Sequence, residues 1–425
     1  MKIAVIGSGG REHALAWRLL EDSGTREVFV LPGNPGMSLD QGITCVPWAG
    51  DYSDLYTFIN AQGIDLVIVG PEKFLAEGLA DYLTEVHIPC FGPSEFCAQF
   101  ESSKDFSKEF MNEFSIPTAK SITVTEYLQG IKEIESWGFS LPPVVKADGL
   151  AAGKGVFVCE DKDEAKLALH NLMNNPDFPV TSSKILLEEC LEGVEVSSFA
   201  LFDGENYQVL GHSSDHKRLN DFDKGPNTGG MGTYCDPNWP STSLKEKIED
   251  QVFKRFQKGL KAKGLKYVGF LFAGIMISKN DEINVIEFNV RLGDPEGQSL
   301  LFTLDGDLSQ SLYFAATGKL NEASDLKMNS SAVHVVLASK GYPGLDGQEL
   351  LLHQGIPKIE NGDSFKVFFA GVKLKDETLV NSGGRVLGIS VKSDSIKSAR
   401  ETIYQIIPTL AFNGAHWRTD IGLKN

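Results

Sequence analysis

The chain has 425 residues, of which 42% are hydrophobic and 23% charged, so it resembles neither a disordered tail nor a fibrous repeat. Lys and Arg number 40 against 57 Asp and Glu, a net charge of −17 that argues against a non-specific nucleic-acid binder. No apolar run approaches the roughly 18 residues of a membrane-spanning helix, and at about 100–200 residues per domain two to four domains are expected.

The first strand, Lys2–Ile6, runs straight into the turn Gly7-Ser8-Gly9-Gly10 with no charged or sustained apolar leader. It does not read as a signal peptide. The six cysteines make no C-x-x-C pair and no zinc-like spacing, which fits reduced thiols in a cytoplasmic protein. Further strands are predicted at Glu27–Leu31 and Leu66–Val69, with a helix over Glu12–Leu20. This alternation predicts βαβ units in a parallel sheet, whose ligands bind beyond the carboxyl ends of the strands.

Gly7-Ser8-Gly9-Gly10-Arg11-Glu12 opens like a dinucleotide fingerprint, but Glu12 stands at the third glycine position. The second strand ends in Leu31-Pro32-Gly33 without the carboxylate that would hold a ribose. A nicotinamide-dependent oxidoreductase is therefore disfavoured, although backbone N–H groups at a helix start still favour an anion. A glycine turn serving only strand–helix packing is the plainer alternative.

Near Glu101-Ser102-Ser103-Lys104 the pattern shifts to longer helices and strand pairs. Val144–Ala147 and Val156–Cys159 flank Asp148-Gly149-Leu150-Ala151-Ala152-Gly153-Lys154-Gly155. The loop misses the Walker A spacing, and strands rather than a helix follow it. A glycine-rich flap there could cover a triphosphate with Lys154 adding charge, or be a plain mobile hairpin. Lys146 lies on the apolar strand before it, where an ammonium needs an anion unless it alternates to solvent. Lys104, at a helix start, is weaker and could simply be solvated.

Asn284–Asn289 is the most informative strand. Alternation puts Glu287 and Asn289 on one face and Phe288 on the other, and Arg291 continues the series. Two hard oxygen donors side by side suit Mg²⁺ shared with substrate phosphates, with a fixed cation beside it. The bland alternative, a polar stripe facing solvent, fits two residues better than three followed by Gly-Asp-Pro-Glu. Between Asp215 and Gly232 lies a long loop with basic residues and a Gly-rich half, and His216 in it is expected to be solvated. From about Ala332 a strand-rich tail reads as a third, smaller domain.

The segments Gly-Gly-Arg-Glu-His-Ala at 9–14, Pro-Gly-Asn at 32–34 and Val-Gly-Pro-Glu at 69–72 carry a family resemblance. So do 146–156, Gly-Pro-Asn-Thr-Gly-Gly-Met-Gly at 225–232, Ile-Glu-Phe-Asn at 286–289 and Gly-Gly-Arg-Val-Leu at 383–387. Together the chain resembles the phosphoribosylamine–glycine ligase family of the ATP-grasp superfamily, nearly end to end. The resemblance implies an α/β chain with three parts. They are an N-terminal parallel-sheet domain (1–101), an ATP-grasp nucleotide domain (102–328, smaller lobe about 122–193) and a small β-rich C-terminal domain (329–425).

It also implies ligation of glycine to 5-phosphoribosylamine through glycyl phosphate, with ATP as substrate and Mg²⁺ or Mn²⁺ as the metal. Lys104, Lys146, Gly153, Lys154 and Gly155 would hold the ATP phosphates. Glu188, with the backbone of Glu189 and Leu191, would read adenine, and Glu195 the ribose. Glu287 and Asn289 would bind the metal, with Arg291, Lys146 and Asp294 in catalytic roles. The substrates would meet Gly9, Gly10, Arg11, Asn34, Glu72, Asp215, Lys217, Asn227, Thr228, Gly229, Gly230, Arg291, Gly293 and Asp294. No nucleic-acid or membrane partner is implied, and the chain would act as a monomer or homodimer. A non-catalytic nucleotide-binding module that kept the fold is the remaining rival. The Glu287, Asn289 and Arg291 face argues against it.

Overall fold

The computed structural model describes residues 1–151, 155–344 and 364–423. At the N-terminus, strands β1 (Lys2–Gly7), β2 (Glu27–Pro32), β3 (Ile43–Cys45), β4 (Leu66–Val69) and β5 (Cys90–Phe91) form a sheet ordered β3-β2-β1-β4-β5. Every pairing in it is parallel. Ile3, Ala4, Val5 and Ile6 are all fully buried, because helices cover both faces and β1 presents apolar side chains to each. Sequence reading found three of the five strands. The short β3 and β5 carry too few residues to show a period. The first helix, Gly10–Leu20, starts two residues earlier than its apolar spacing predicts.

A second sheet, ordered β6-β9-β7-β8, contains β6 (Ser121–Val124), β7 (Val144–Ala147), β8 (Val156–Phe157) and β9 (Ile185–Glu188). The helices Tyr127–Glu135 and Lys162–Asn174 pack on one face through Ile134, Leu169 and Leu172, giving this small lobe its own core. β7 and β8 pair antiparallel, as the flap reading requires.

The third sheet holds the long pair β10 (Val194–Asp203) and β11 (Tyr207–Asp215) at its centre. β12 (Arg218–Asn220) and β13 (Lys224–Asn227) form a separate hairpin inside the 215–232 segment, which is thus not a plain loop. β14 (Gly232–Cys235) then returns to the sheet, which β15 (Val268–Ile277) and β16 (Ile283–Asn289) close at one edge. After the short pair β17 (Leu304–Asp305) and β18 (Lys327–Met328) come β19 (Ser331–Ala338) and β20 (Phe365–Phe369). The hairpin of β21 (Val372–Lys375) with β22 (Thr378–Asn381) leads to β23 (Arg385–Ser393) and the helix Ile396–Leu410.

The tail has its own apolar core, with Val335, Ile389 and Ile403 fully or almost fully buried. Its sheet is not separate, however. β14 pairs with β19, so the order β16-β15-β10-β11-β14-β19-β23-β20 runs unbroken from the metal-type strand into the tail. The tail is thereby fixed beside the site. Among the described residues no helix is long and apolar enough to cross a membrane, and the six cysteines are free thiols.

Candidate functional site

On the small lobe, the β7–β9 register places Lys146 and Glu188 diagonally on one face. Both are buried, and their charges meet at 3.0 Å. Lys146 therefore does not alternate to solvent. The other Glu188 oxygen lies 3.3 Å from Lys108, which also donates to Thr118 Oγ1 at 2.5 Å and to the Ala119 carbonyl at 3.2 Å. Burial pushes the Lys108 ammonium down to about 8, with Glu188 opposing the shift. Lys104 is half-buried, not solvated, and donates to the Gly149 carbonyl at 3.0 Å. Burial and the nearby Lys146 hold its ammonium below the ordinary value despite Glu287. Asp148 accepts from the Lys104 N–H at 2.6 Å and the Ser103 hydroxyl at 3.2 Å, which ties the root of the flap to this helix start.

On β16, Phe288 enters the core, while Glu287 and Asn289 share the opposite face. Asn289 Nδ2 donates to Glu287 Oε1 at 3.2 Å, and Arg291 donates to Asn289 Oδ1 at 3.3 Å. Burial alone would raise the Glu287 carboxyl, but Lys217, Lys146 and Lys104 outweigh it and keep the group ionised. An ionised carboxylate and an amide carbonyl fit a hard divalent cation. No group of three or more His, Cys, Asp or Glu among the described residues could hold a metal by itself.

Two helix starts of the N-terminal domain, in Gly10–Leu20 and Glu72–Ala76, reach this face. Glu72 lies 3.2 Å from Arg291 Nε, and Arg11 donates to the Leu292 carbonyl at 3.0 Å. Glu12 turns back on its own helix start: Gly9 N–H donates to its carboxylate at 2.7 Å and Arg11 Nε at 2.6 Å. A Cβ at Gly7 or Gly70 would collide with that side chain. The anion-favouring turn thus holds the chain's own carboxylate, a physical reason beyond spacing against a dinucleotide. Asn34 is used by the fold. It donates to the Ser8 carbonyl at 2.8 Å and the Phe369 carbonyl at 3.1 Å, and accepts from Gly36 N–H at 2.9 Å.

The 215–232 segment closes the remaining side. Lys217 bonds Glu195, so the side chain assigned to a ribose meets one assigned to the second substrate. Burial would lower the Lys217 ammonium, but Glu195, Glu287 and Asp215 raise it above its ordinary value. Burial, then the nearby Glu296, raises the Asp215 carboxyl, and burial likewise raises Glu296. Thr228 N–H and Oγ1 both bond the Lys217 carbonyl at 2.8 Å, and Thr228 Oγ1 receives Gly230 N–H at 3.0 Å. From the tail, Arg385 donates to the Gly229 and Asp294 carbonyls at 2.7 Å and pairs with the Asp294 carboxylate at 3.0 Å. Gly293 has no room for a side chain against Glu296.

The structure brings Lys104, Lys146, Glu188, Glu287, Asn289 and Arg291 together with Glu72, Arg11, Lys217 and Glu195. Arg385 joins Gly229 to Asp294, which lies near Arg11 and Arg291, whereas Asn227 is exposed on its hairpin. Gly153 and Lys154 lie outside the described residues. His216 is half-buried rather than solvated: its Nδ1 lies 3.2 Å from the Gly232 carbonyl, and the N–H groups of His216 and Met231 complete a local backbone lattice. Sequence reasoning missed Glu101, Lys108, Glu296 and Arg385. Lys108 follows Lys104 by one helical turn, which places them on one face and could have marked it. Arg385 stood in a quoted motif without a role.

A similar fold occurs in the biotin carboxylase domain of the Hydrogenobacter thermophilus 2-oxoglutarate carboxylase, solved with Mg-ADP. That structure has a TM-score of 0.72 at 16% identity over 97% of this chain and 91% of its own, a likeness of fold alone. Fold and site define an ATP-grasp enzyme. Three family models match in sequence: phosphoribosylglycinamide synthetase N domain over residues 1–101, ATP-grasp (A) domain over 102–297 and C domain over 332–424. A phosphoribosylamine–glycine ligase of Leptospira interrogans is 41% identical over 100% of this chain and 99% of its own length. One from Allochromatium vinosum is 39% identical over 99% and 98%. The crystal structure of the Thermotoga maritima phosphoribosylamine–glycine ligase has a TM-score of 0.82 at 32% identity, covering 99% of this chain and 100% of that one. The chain belongs to the phosphoribosylglycinamide synthetase family.

Proposed function

We propose that this chain ligates glycine to 5-phosphoribosylamine in de novo purine (IMP) biosynthesis, converting ATP to ADP and phosphate by way of glycyl phosphate. The observation that carries the reading is the meeting of two sets of groups at Arg291. Strand β16 brings Glu287 and Asn289, and the start of the N-terminal helix Glu72–Ala76 brings Glu72. A nucleotide's γ-phosphate and a small acceptor thereby share one place.

In this reading Lys104 and Lys146 bind the ATP phosphates, and Glu188 with the backbone of Glu189 and Leu191 receives the adenine. Glu195 takes the ribose once Lys217 releases it. Glu287 and Asn289 would hold Mg²⁺ or Mn²⁺, which would offset the charge of the phosphates. Arg291 faces the phosphoryl group as it passes to the glycine carboxylate, and the amine of phosphoribosylamine then displaces phosphate. Arg11, Glu72, Asp294 and the 215–232 segment orient that amine and exclude water from the acyl phosphate. Nothing in this scheme requires the protein to form a covalent bond. Its work is positioning and electrostatics. We place the enzyme in the cytoplasm.

The test is ADP release measured with each substrate omitted in turn. Release that needs glycine and phosphoribosylamine together supports the ligase. Release that ignores phosphoribosylamine, or none at all with tight ATP binding, rejects it.

A further inference from the structure

Arg291 is held by two carboxylates that differ in kind. Glu101, from the last turn of the helix Glu95–Ser102, receives Arg291 Nη2 on one oxygen at 2.7 Å and the Val290 N–H on the other at 2.8 Å. Its side chain is only 8% exposed, and neighbouring Phe100 is packed in the core. Glu72 makes one contact, at 3.2 Å, and is 31% exposed. The remaining bonds of the guanidinium go to Asn289 Oδ1 at 3.3 Å and, through Nη1, to the Leu292 carbonyl at 3.1 Å. A guanidinium has five N–H donors in a fixed fork. With Nε and both Nη2 hydrogens engaged, one Nη1 hydrogen is left for a substrate.

We propose that Glu101 is the positioning residue that aims Arg291 at the transferring phosphoryl group, and that Glu72 is the partner a substrate displaces. The two-point grip ties one end of the guanidinium to the backbone at Val290, which the single contact from Glu72 does not do. Burial raises the Glu101 carboxyl, and Arg291 opposes that shift. Glutamine at 101 can accept from Val290 or from Arg291, but its amide would then turn N–H toward the other donor. One of the two contacts must fail.

This proposal deepens the ligase reading by resting on the phosphoryl role of Arg291, yet its test does not depend on the acceptor. Binding of Mg-ADP, alone and with aluminium fluoride as a phosphoryl mimic, is measured by calorimetry. The proteins are the unaltered enzyme, Glu101→Gln, Arg291→Ala and the double variant. In Glu101→Gln the Mg-ADP affinity should stay within about twofold, while the tightening by fluoride falls about tenfold or more. In the Arg291→Ala background the Glu101 change should add nothing, because its effect passes through the arginine. Glu101→Asp keeps the charge with a shorter reach and should fall between. It serves as the test if the glutamine variant does not fold.

Full tightening in Glu101→Gln, or an undiminished Glu101 effect without Arg291, overturns the proposal. An enzyme that shows this coupling but makes no glycinamide ribonucleotide would refute the ligase reading and leave Glu101 in place.

Discussion

The ammonium of Lys146 lies 3.0 Å from the carboxylate of Glu188, with both side chains buried, so the group assigned to ATP phosphates is held by the group assigned to adenine. Lys108 stands on the far side of the same carboxylate at 3.3 Å. One acid balances two buried bases.

Removing that acid should therefore be costly. Glu188→Gln leaves two ammonium groups with a neutral neighbour, and breaking a buried pair costs about 3–5 kcal/mol. Urea unfolding should register a loss of that order, and the KM for ATP should rise about tenfold or more. A loss below about 1 kcal/mol would mean that the cluster is open to water.

Glu287→Gln keeps the size of the side chain and removes the charge that Lys217, Lys146 and Lys104 stabilise. Because the charge stabilisation a bound metal would supply is worth several kcal/mol, kcat should drop by on the order of 100-fold or more while weak ATP binding persists. Activity near normal at saturating Mg²⁺ would take Glu287 out of the metal site.

Gly230 has φ +107° and faces the Pro295 ring and, at 2.9 Å from an added Cβ, the Asp215 carboxylate. Gly230→Ala is thus strained twice. The Thr228–Gly230 turn should shift away from Arg385, lowering kcat/KM for glycine and phosphoribosylamine about tenfold with Mg-ADP binding unchanged. Unchanged kcat/KM would remove this turn from the second-substrate site.

Burial pushes His212 and His334 down to about 3, with Lys245 adding to the first, and Asp294 opposing and Arg385 adding at the second. Both remain neutral when folded but take a proton when unfolded, below about pH 6.5. Their share of stability is complete above that value. It is lost as pH falls toward 3, at roughly 1 kcal/mol per pH unit for each histidine. Raised carboxyls such as Asp215 act in the opposite sense, so the comparison is with His212→Gln across pH 5–8. The variant's stability should fall less steeply on acidification than that of the unaltered protein. Parallel curves would show that His212 is already charged in the fold.

Much of this site was legible in the residues because its chemistry lies on regular strands. Alternation along β16 separated Phe288 from Glu287 and Asn289, and the series carried past the strand end to Arg291. The partners of those groups were not legible. Glu101 meets Arg291 across 190 residues, and Arg385 meets Asp294 across 91. No local period records such a meeting. Glu12 was read only as a missing glycine, because nothing local shows a side chain folding back into its own turn. That the sheet of the C-terminal domain continues into the rest was not legible, because the four residues of β14, which join them, are too few to display a pattern.

The central claim is that glycine is activated by phosphoryl transfer at Arg291, Glu287 and Asn289. It is tested most directly with glycine carrying ¹⁸O in its carboxylate, run in the complete reaction with ATP and phosphoribosylamine. Transfer to the carboxylate makes a labelled oxygen the bridge between carbon and phosphorus. When the amine displaces phosphate, the C–O bond breaks and one labelled oxygen must leave in inorganic phosphate, with the other retained in glycinamide ribonucleotide. Label in the released phosphate, together with ADP as the other product, is the result this account predicts. Label in AMP with release of pyrophosphate, or unlabelled phosphate beside product, would contradict it.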